Sequence, residues 1–251
     1  MVLCQSNQRQ LGVCFSMFVG DHDSYFPAGW CTDSWTPPSG THADGYWMQA
    51  LRPYYGNEHD LRCCPAAMKP GTEVGGGPFG GALLNSTFVG WGIFPDTDYC
   101  GEVSSSWSYA IACDYGSYGW NGWLGNPPSG QKVPPNLSED HPVELNWRSA
   151  DVKGTGNIPL IMSNQWIDGW PRDQDTPPEY EGQQWWISGY ENMARFCLNR
   201  HDGFTNSAFL DFSTRKVGLK ELWKLKWHRR FDVNADPPVW PEWMKTFKEY
   251  D

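Results

Sequence analysis

Six histidines, eight cysteines and a run of carboxylates are the groups in this 251-residue chain equipped to catalyse a reaction or hold a metal. The histidines are His22, His42, His59, His141, His201 and His228. None stands three or four residues from another, so no helix would present two imidazoles on one face. The cysteines are scattered, and none lies in the paired spacing of a zinc site. Cys63 and Cys64 are adjacent, which suits two separate partners. There is no G-x-S-x-G nucleophile elbow, no H-E-x-x-H and no phosphate-binding loop with its lysine. Gly75-Gly76-Gly77-Pro78-Phe79-Gly80 matches G-x-G-x-x-G in letters only. Pro70-Gly71 precedes it and Pro78 interrupts it, so the strand and helix that a nucleotide fingerprint needs are missing.

The densest acidic stretch holds four carboxylates in nine residues, Asp173, Asp175, Glu179 and Glu181. Oxygen ligands on a loop are what Ca2+ takes, and these four are the calcium candidates. The competing reading is a solvated acidic loop, and Pro177-Pro178 in its middle excludes an EF-hand. A glycosidase acid and base would also be two carboxylates, yet nothing here marks one as buried. No other cofactor is indicated.

Composition narrows the partners. The formal net charge is −10, which argues against a nucleic-acid binder and against an anionic membrane surface. No run of about 18 apolar residues is present, so a membrane could be engaged only through a helix outside this sequence. Sixteen tryptophans have two readings: platforms for stacking sugars, or large fillers of a core with little regular backbone. Scattered cysteines in an acidic, loop-rich chain predict an oxidising compartment and up to four disulfides, the competing reading being buried free thiols. Their connectivity is open, with about a hundred complete pairings.

The elements that must position these groups begin with a helix. Cys4, Leu11, Phe15 and Phe18 share one face, and Gly20 and Pro27 end the segment. Its stripe starts almost at Met1 without a capping residue, which predicts the remainder of a longer helix. Residues 30–130 are dominated by Gly and Pro turns, with short strands expected at Thr87–Phe94 and Ser106–Cys113. Gly116–Trp123 reads as a Gly/aromatic loop. Val143–Trp147 and Ile158–Ser163 read as strands, Trp170–Gly182 as a loop, and Asn192–Arg200 as a short helix. Thr205–Phe212 and Arg215–Val217 read as strands around a turn near Ser213. Leu219–Arg229 reads as a helix, and the tail from Pro237 as surface chain. The class is α+β: one domain over 1–251, with a helix (1–22), an irregular β and loop region (23–199) and a C-terminal hairpin, helix and tail (200–251).

Two stretches resemble a known group. Cys4-Gln5-Ser6-Asn7-Gln8-Arg9-Gln10-Leu11-Gly12, followed by Asp21-His22-Asp23-Ser24-Tyr25-Phe26-Pro27, is similar to the segment after the hydrophobic helix of type II secretion pseudopilin-like proteins. Arg200–Phe212, with His201 and Asp211 ten positions apart, resembles the H-x9-DG signature of prepilin-type "processing-associated" proteins. Cys64-Pro65 is a further shared feature. Gln8 stands where Leu is usual, Ser24 where Gly is usual, and Phe212 where the Gly of DG is usual. The motif residues are Cys4, Asn7, Gly12, Pro27, His201, Gly203, Asn206 and Asp211.

The resemblance implies a pilin-like fold, a helix against an antiparallel sheet with disulfide-linked loops. It implies a structural filament subunit with other pilin-like subunits as partners and no reaction of its own. It implies an extracytoplasmic location, with a leader and membrane anchor preceding Met1. Within it, His201 and Asp211 are expected to hold the hairpin through backbone hydrogen bonds, Gly203 to take a positive-φ turn, and Asn206 to bridge the same loop. The alternative function is a secreted carbohydrate-binding or carbohydrate-active domain with a glycan partner.

Overall fold

Val2–Asp21 forms helix α1, and its buried face carries Cys4, Gln8, Leu11, Gly12, Cys14, Phe15, Phe18 and Val19. These positions recur at three- and four-residue steps, so they make one stripe. The helix stops where the backbone turns left-handed: Asp23 and Ser24 have φ of 50° and 67°. The N–H of Ser24 closes on the Val19 carbonyl at 2.8 Å. The His22 ring stacks on Phe18 with centroids 3.9 Å apart. The structure, a computed structural model, describes residues 1–29, 47–56, 58–70, 87–92, 115–127, 142–184 and 192–250.

Two single helical turns follow, α2 (Trp47–Ala50) and α3 (Arg52–Tyr55). The strands are β1 (Lys69–Pro70), β2 (Val89–Gly92), β3 (Tyr115–Gly116), β4 (Tyr118–Asn121), β5 (Pro159–Ser163), β6 (Asp168–Gly169), β7 (Phe204–Phe209) and β8 (Thr214–Gly218). They make a three-stranded sheet, β1-β2-β3, and a five-stranded sheet, β6-β4-β5-β7-β8. In the larger sheet β4, β5, β7 and β8 pair antiparallel, and β6 joins β4 in parallel. Helix α1 lies across β5, β7 and β8. The fold is thus mixed α+β, with one N-terminal helix on a largely antiparallel sheet.

Aromatic residues fill the seam. Phe15 of α1 stacks on Trp120 of β4, with centroids 6.2 Å apart and planes 5° apart, and also meets Phe26 and Trp47. Burying a side chain of that size stabilises by about 1.5–3 kcal/mol. Of the eleven described tryptophans, eight are buried and Trp166, Trp240 and Trp243 are half-buried against the core. For these residues the core reading holds over an exposed sugar platform. Their indole N–H groups also cap loop carbonyls: Trp47 donates to Ile167, Trp123 to Pro171 and Trp147 to Trp227, at 2.8–2.9 Å. That is how irregular backbone is buried without orphaned acceptors.

Several expectations need correction. Gly116–Trp123 is not a loop: it carries the ends of β3 and all of β4, a strand inside the larger sheet. Its glycines serve close packing. A Cβ on Gly119 would lie 2.4 Å from the Trp166 carbonyl oxygen, and one on Gly122 2.3 Å from the Trp170 indole. Leu219–Arg229 is not an α-helix but a five-residue 3-10 turn, Lys220–Lys224, followed by extended chain. Its later backbone groups bond away from the helix axis: Lys226 N–H to Asn157 O at 2.9 Å, and Arg229 N–H to Leu145 O at 3.1 Å. Asn192–Arg200 shrinks to a 3-10 turn at Met193–Arg195, and Val143–Trp147 to one at Val143–Leu145. The tail from Pro237 lies over the surface as expected, and fully buried Met244 pins it there. Ser106–Cys113, the Gly75–Gly81 run, Cys31, Cys100 and Cys113 lie outside the described residues.

The disulfide expectation is also corrected. Cys4, Cys14, Cys63, Cys64 and Cys197 are all buried free thiols, so four disulfides do not form. Cys197 shows why: its sulfur meets the Met244 sulfur at 3.9 Å and packs in the core as a small apolar group.

Candidate functional site

Three side chains from distant parts of the chain converge under the first turns of α1. They are Cys4, Cys64 and His201, whose two Sγ atoms and one ring nitrogen all lie within 4.8 Å of one another. Among the described residues this is the one group of three or more His, Cys, Asp or Glu side chains so placed. Cys4 and Cys64 are fully buried and His201 is half-buried. The His201 Nε2 stands 3.4 Å from the Cys64 Sγ.

Each member is fixed by its own element. Cys4 is on the inner face of α1. Asn7, one turn on, donates from Nδ2 to the Cys63 carbonyl at 3.0 Å and ties the helix to the cysteine loop. That loop is a tight turn, with Ala67 N–H on the Cys64 carbonyl at 2.8 Å and Cys64 N–H on Ser117 Oγ at 2.6 Å. His201 precedes a left-handed pair, Asp202 at φ 54° and Gly203 at φ 77°, which feeds β7. Gly203 supplies the positive φ at little steric cost, and its N–H is held by Asn199 Oδ1 at 2.7 Å.

Behind the cluster sits Arg200, a buried cation. Its guanidinium donates to the carbonyls of Thr87, Ser117, Val89 and Asn164, and so joins four chain segments. Burial lowers its pKa from the ordinary value, and the nearby Cys64 and Cys4 thiols work against that. The Cys4 thiol is held well below the usual range, first by its hydrogen bond with Cys64 and further by His201, Tyr118 and Asn206. Cys64 is raised by the same hydrogen bond and by burial. The pair therefore loses a first proton readily and a second with difficulty. Cys63, outside the cluster, is pushed up to about 12 by burial.

The motif residues separate into two groups. Cys4, Asn7, Gly12, His201 and Asn206 gather where α1 meets β7. A Cβ on Gly12 would lie 3.6 Å from Ala208 Cβ and from the Phe212 carbonyl oxygen. Asn206 reaches Met1 O at 3.5 Å and borders Cys4; the loop bridge expected of it is made by Asn199. His201 turns to Cys64, where a backbone contact was expected. Asp211 sits at the far end of β7 and closes the hairpin by accepting from Ser213 N–H and Oγ–H at 3.0 and 2.6 Å. Phe212 takes φ 61° at the place of the usual glycine. Pro27 is buried beyond α1, and its carbonyl accepts from Asn126 N–H at 3.0 Å.

The calcium candidates do not gather. Asp175 uses its Oδ2 on the N–H groups of Arg172 and Met193, at 3.2 and 2.8 Å. Glu181 accepts from Asn199 Nδ2 at 3.3 Å, Glu179 is exposed and Asp173 half-buried. Asp175 serves as a backbone cap because its loop lacks regular pairing. Sequence reasoning missed Arg200 and Tyr118 as neighbours of Cys4; the one local signal was Arg200 standing next to His201.

Comparison with family models, curated proteins and solved structures gives no match to this chain.

Proposed function

We propose that this chain is a non-enzymatic structural subunit of a type II secretion or type IV pilus-like filament system, its folded part lying outside the cytoplasm. One observation carries the reading. The two stretches that resemble the pseudopilin-like group, 173 and more residues apart in sequence, are packed against each other, Cys4 and Gly12 of α1 against His201, Asn206 and Ala208. A shared helix-to-hairpin contact is what a common pilin-like fold requires.

The exposed side of α1 supports it. Val2 is 80% and Leu3 68% exposed, and Val13 and Met17, one turn apart, are about half exposed. Val13 and Met17 border a groove of about 600 Å3 with Tyr54 and Tyr55. A helix that exposes four apolar side chains on its outer side, beside Ser6, Arg9 and Gln10, is suited to packing against a second neighbour. No helix among the described residues is long and apolar enough to cross a membrane.

The test is the intact mass and N-terminal sequence of the protein from its native cells, with sheared surface filaments probed for it. The expected result is about 20 further apolar residues and co-purification with filaments. A native chain that begins at Met1 and is absent from filaments overturns the reading.

A further inference from the structure

We infer that Cys4, Cys64 and His201 form a binding site for a thiophilic divalent cation of the Zn2+ class, with one coordination position left for water. The inference is independent of the filament reading, since it rests only on the donor set and its geometry.

Two thiolates and an imidazole are the ligands that Zn2+ selects, and three protein ligands leave a tetrahedral ion one open position. The spacing fits a single ion. Zn–S of about 2.3 Å and Zn–N of about 2.0 Å at a tetrahedral angle put S and N about 3.5 Å apart. Cys64 Sγ and His201 Nε2 are 3.4 Å apart, and the remaining donor pairs stay within 4.8 Å. The donors are held before any ion arrives: α1 sets Cys4, the Ser117 hydroxyl sets Cys64, and the turn at Asp202 and Gly203 sets His201.

The surroundings suit the charges. Arg200 is buried close to both sulfurs, where its cation favours thiolates over thiols. Asn206 borders Cys4, and its Oδ1 is buried without a hydrogen-bond partner. Half-exposed His201 gives the ion its way in. Binding replaces the one S–H proton that the pair retains at neutral pH by a metal bond and releases it to solvent. An ion here would link α1, the Cys64 turn and the start of β7.

The full chain, reduced and free of metal, is titrated with Co2+ under nitrogen. Zn2+ stoichiometry is then measured by elemental analysis after desalting. The expected result is one ion per chain, with the visible bands of tetrahedral cobalt and thiolate charge transfer, displaced by Zn2+. His201→Gln and Cys64→Ser each weaken binding by at least about tenfold, while Cys63→Ser, one residue outside the cluster, leaves it unchanged. His201 is half-buried, so its variant keeps the fold, checked by tryptophan fluorescence, and decides the matter if Cys64→Ser unfolds. The inference is overturned if cobalt gives no tetrahedral bands, if the bands survive His201→Gln in full, or if peptide mapping of the native protein finds a Cys4–Cys64 disulfide.

Discussion

Gly12 and Gly119 call for opposite outcomes from the same substitution. Gly12 lies inside α1, where glycine costs about 0.8–1.0 kcal/mol relative to alanine through backbone entropy. Its added Cβ would meet Ala208 Cβ and Phe212 O at 3.6 Å, ordinary van der Waals contact. Nothing has to move, so Gly12→Ala is expected to stabilise the protein by about 1 kcal/mol, which raises Tm by roughly 2–4 °C for a chain of this size. Gly119 lies in β4, and its Cβ would fall 2.4 Å from the Trp166 carbonyl oxygen and 2.6 Å from Asn164 Nδ2. The first of these is backbone and cannot swing away. Gly119→Ala is expected to cost 1–3 kcal/mol or more through forced displacement. Urea denaturation followed by tryptophan fluorescence measures both, with unchanged m-values as the check on two-state behaviour. A Gly12→Ala variant destabilised by more than about 1 kcal/mol would mean that α1 sits closer to β7 than described. The packing argument would then be refuted at its centre.

Asp168 is fully buried beside Arg195, with Nη1 to Oδ1 at 3.4 Å, and burial outweighs the guanidinium to push the carboxyl up to about 7. The folded protein then keeps a proton that the unfolded chain releases near pH 4. Stability falls by about 1.4 kcal/mol per pH unit as pH rises towards 7, and flattens above it. Asp168→Asn is expected to remove that slope, read from denaturation midpoints between pH 4 and 8; an unaltered slope refutes the assignment. Arg200→Met takes the guanidinium donor from the buried carbonyls of Thr87, Val89 and Asn164, and one of two donors from Ser117. At about 1–3 kcal/mol each, the loss rivals a whole domain's stability of about 5–15 kcal/mol. The variant is expected not to fold, so a cooperative melt near the parent Tm would sink the account. Burial raises the thiols of Cys63 and Cys197, so both should resist alkylation at pH 8 in the native protein and react fully in denaturant; rapid native labelling of Cys197 would contradict its place in the core.

Where periodicity carried the information, the sequence was readable. Cys4, Leu11, Phe15 and Phe18 announce α1, because one face of the helix is buried against the sheet. β4 was hidden because it is buried on both sides, and its glycines, which read as turn signals, make room for Trp166 and Trp170. The supposed helix after Leu219 misled for a related reason. Leu222, Trp223, Leu225 and Trp227 are all buried, yet the N–H groups of Lys226 and Arg229 go to Asn157 and Leu145, and the carbonyls of Leu222 and Trp227 accept from indole N–H groups, so no helix is needed. The cluster was invisible to local reasoning because Cys64 and His201 stand 137 residues apart. Only the resemblance placed Cys4 and His201 in one family of motifs, and even that did not say they touch.

The placement of those motifs has a geometric logic. Cys4 and Gly12 are eight residues apart, about 12 Å along a helix, and they meet the two ends of one hairpin strand. A single contact would leave α1 free to rotate or slide on the sheet. Two contacts on the same face, one at His201 and Asn206 and one at Ala208 and Phe212, fix both motions. Small residues at Gly12 and Ala208 let helix and strand approach closely at the far end. At the near end the contact is polar and buried, which is costly unless satisfied. Arg200, Tyr118 and Asn206 are what satisfy it, and each comes from a strand or turn that the same sheet holds in place. The apolar end sets how closely the helix approaches; the polar end sets its rotation, because only one rotation brings Cys4 within reach of both Cys64 and His201.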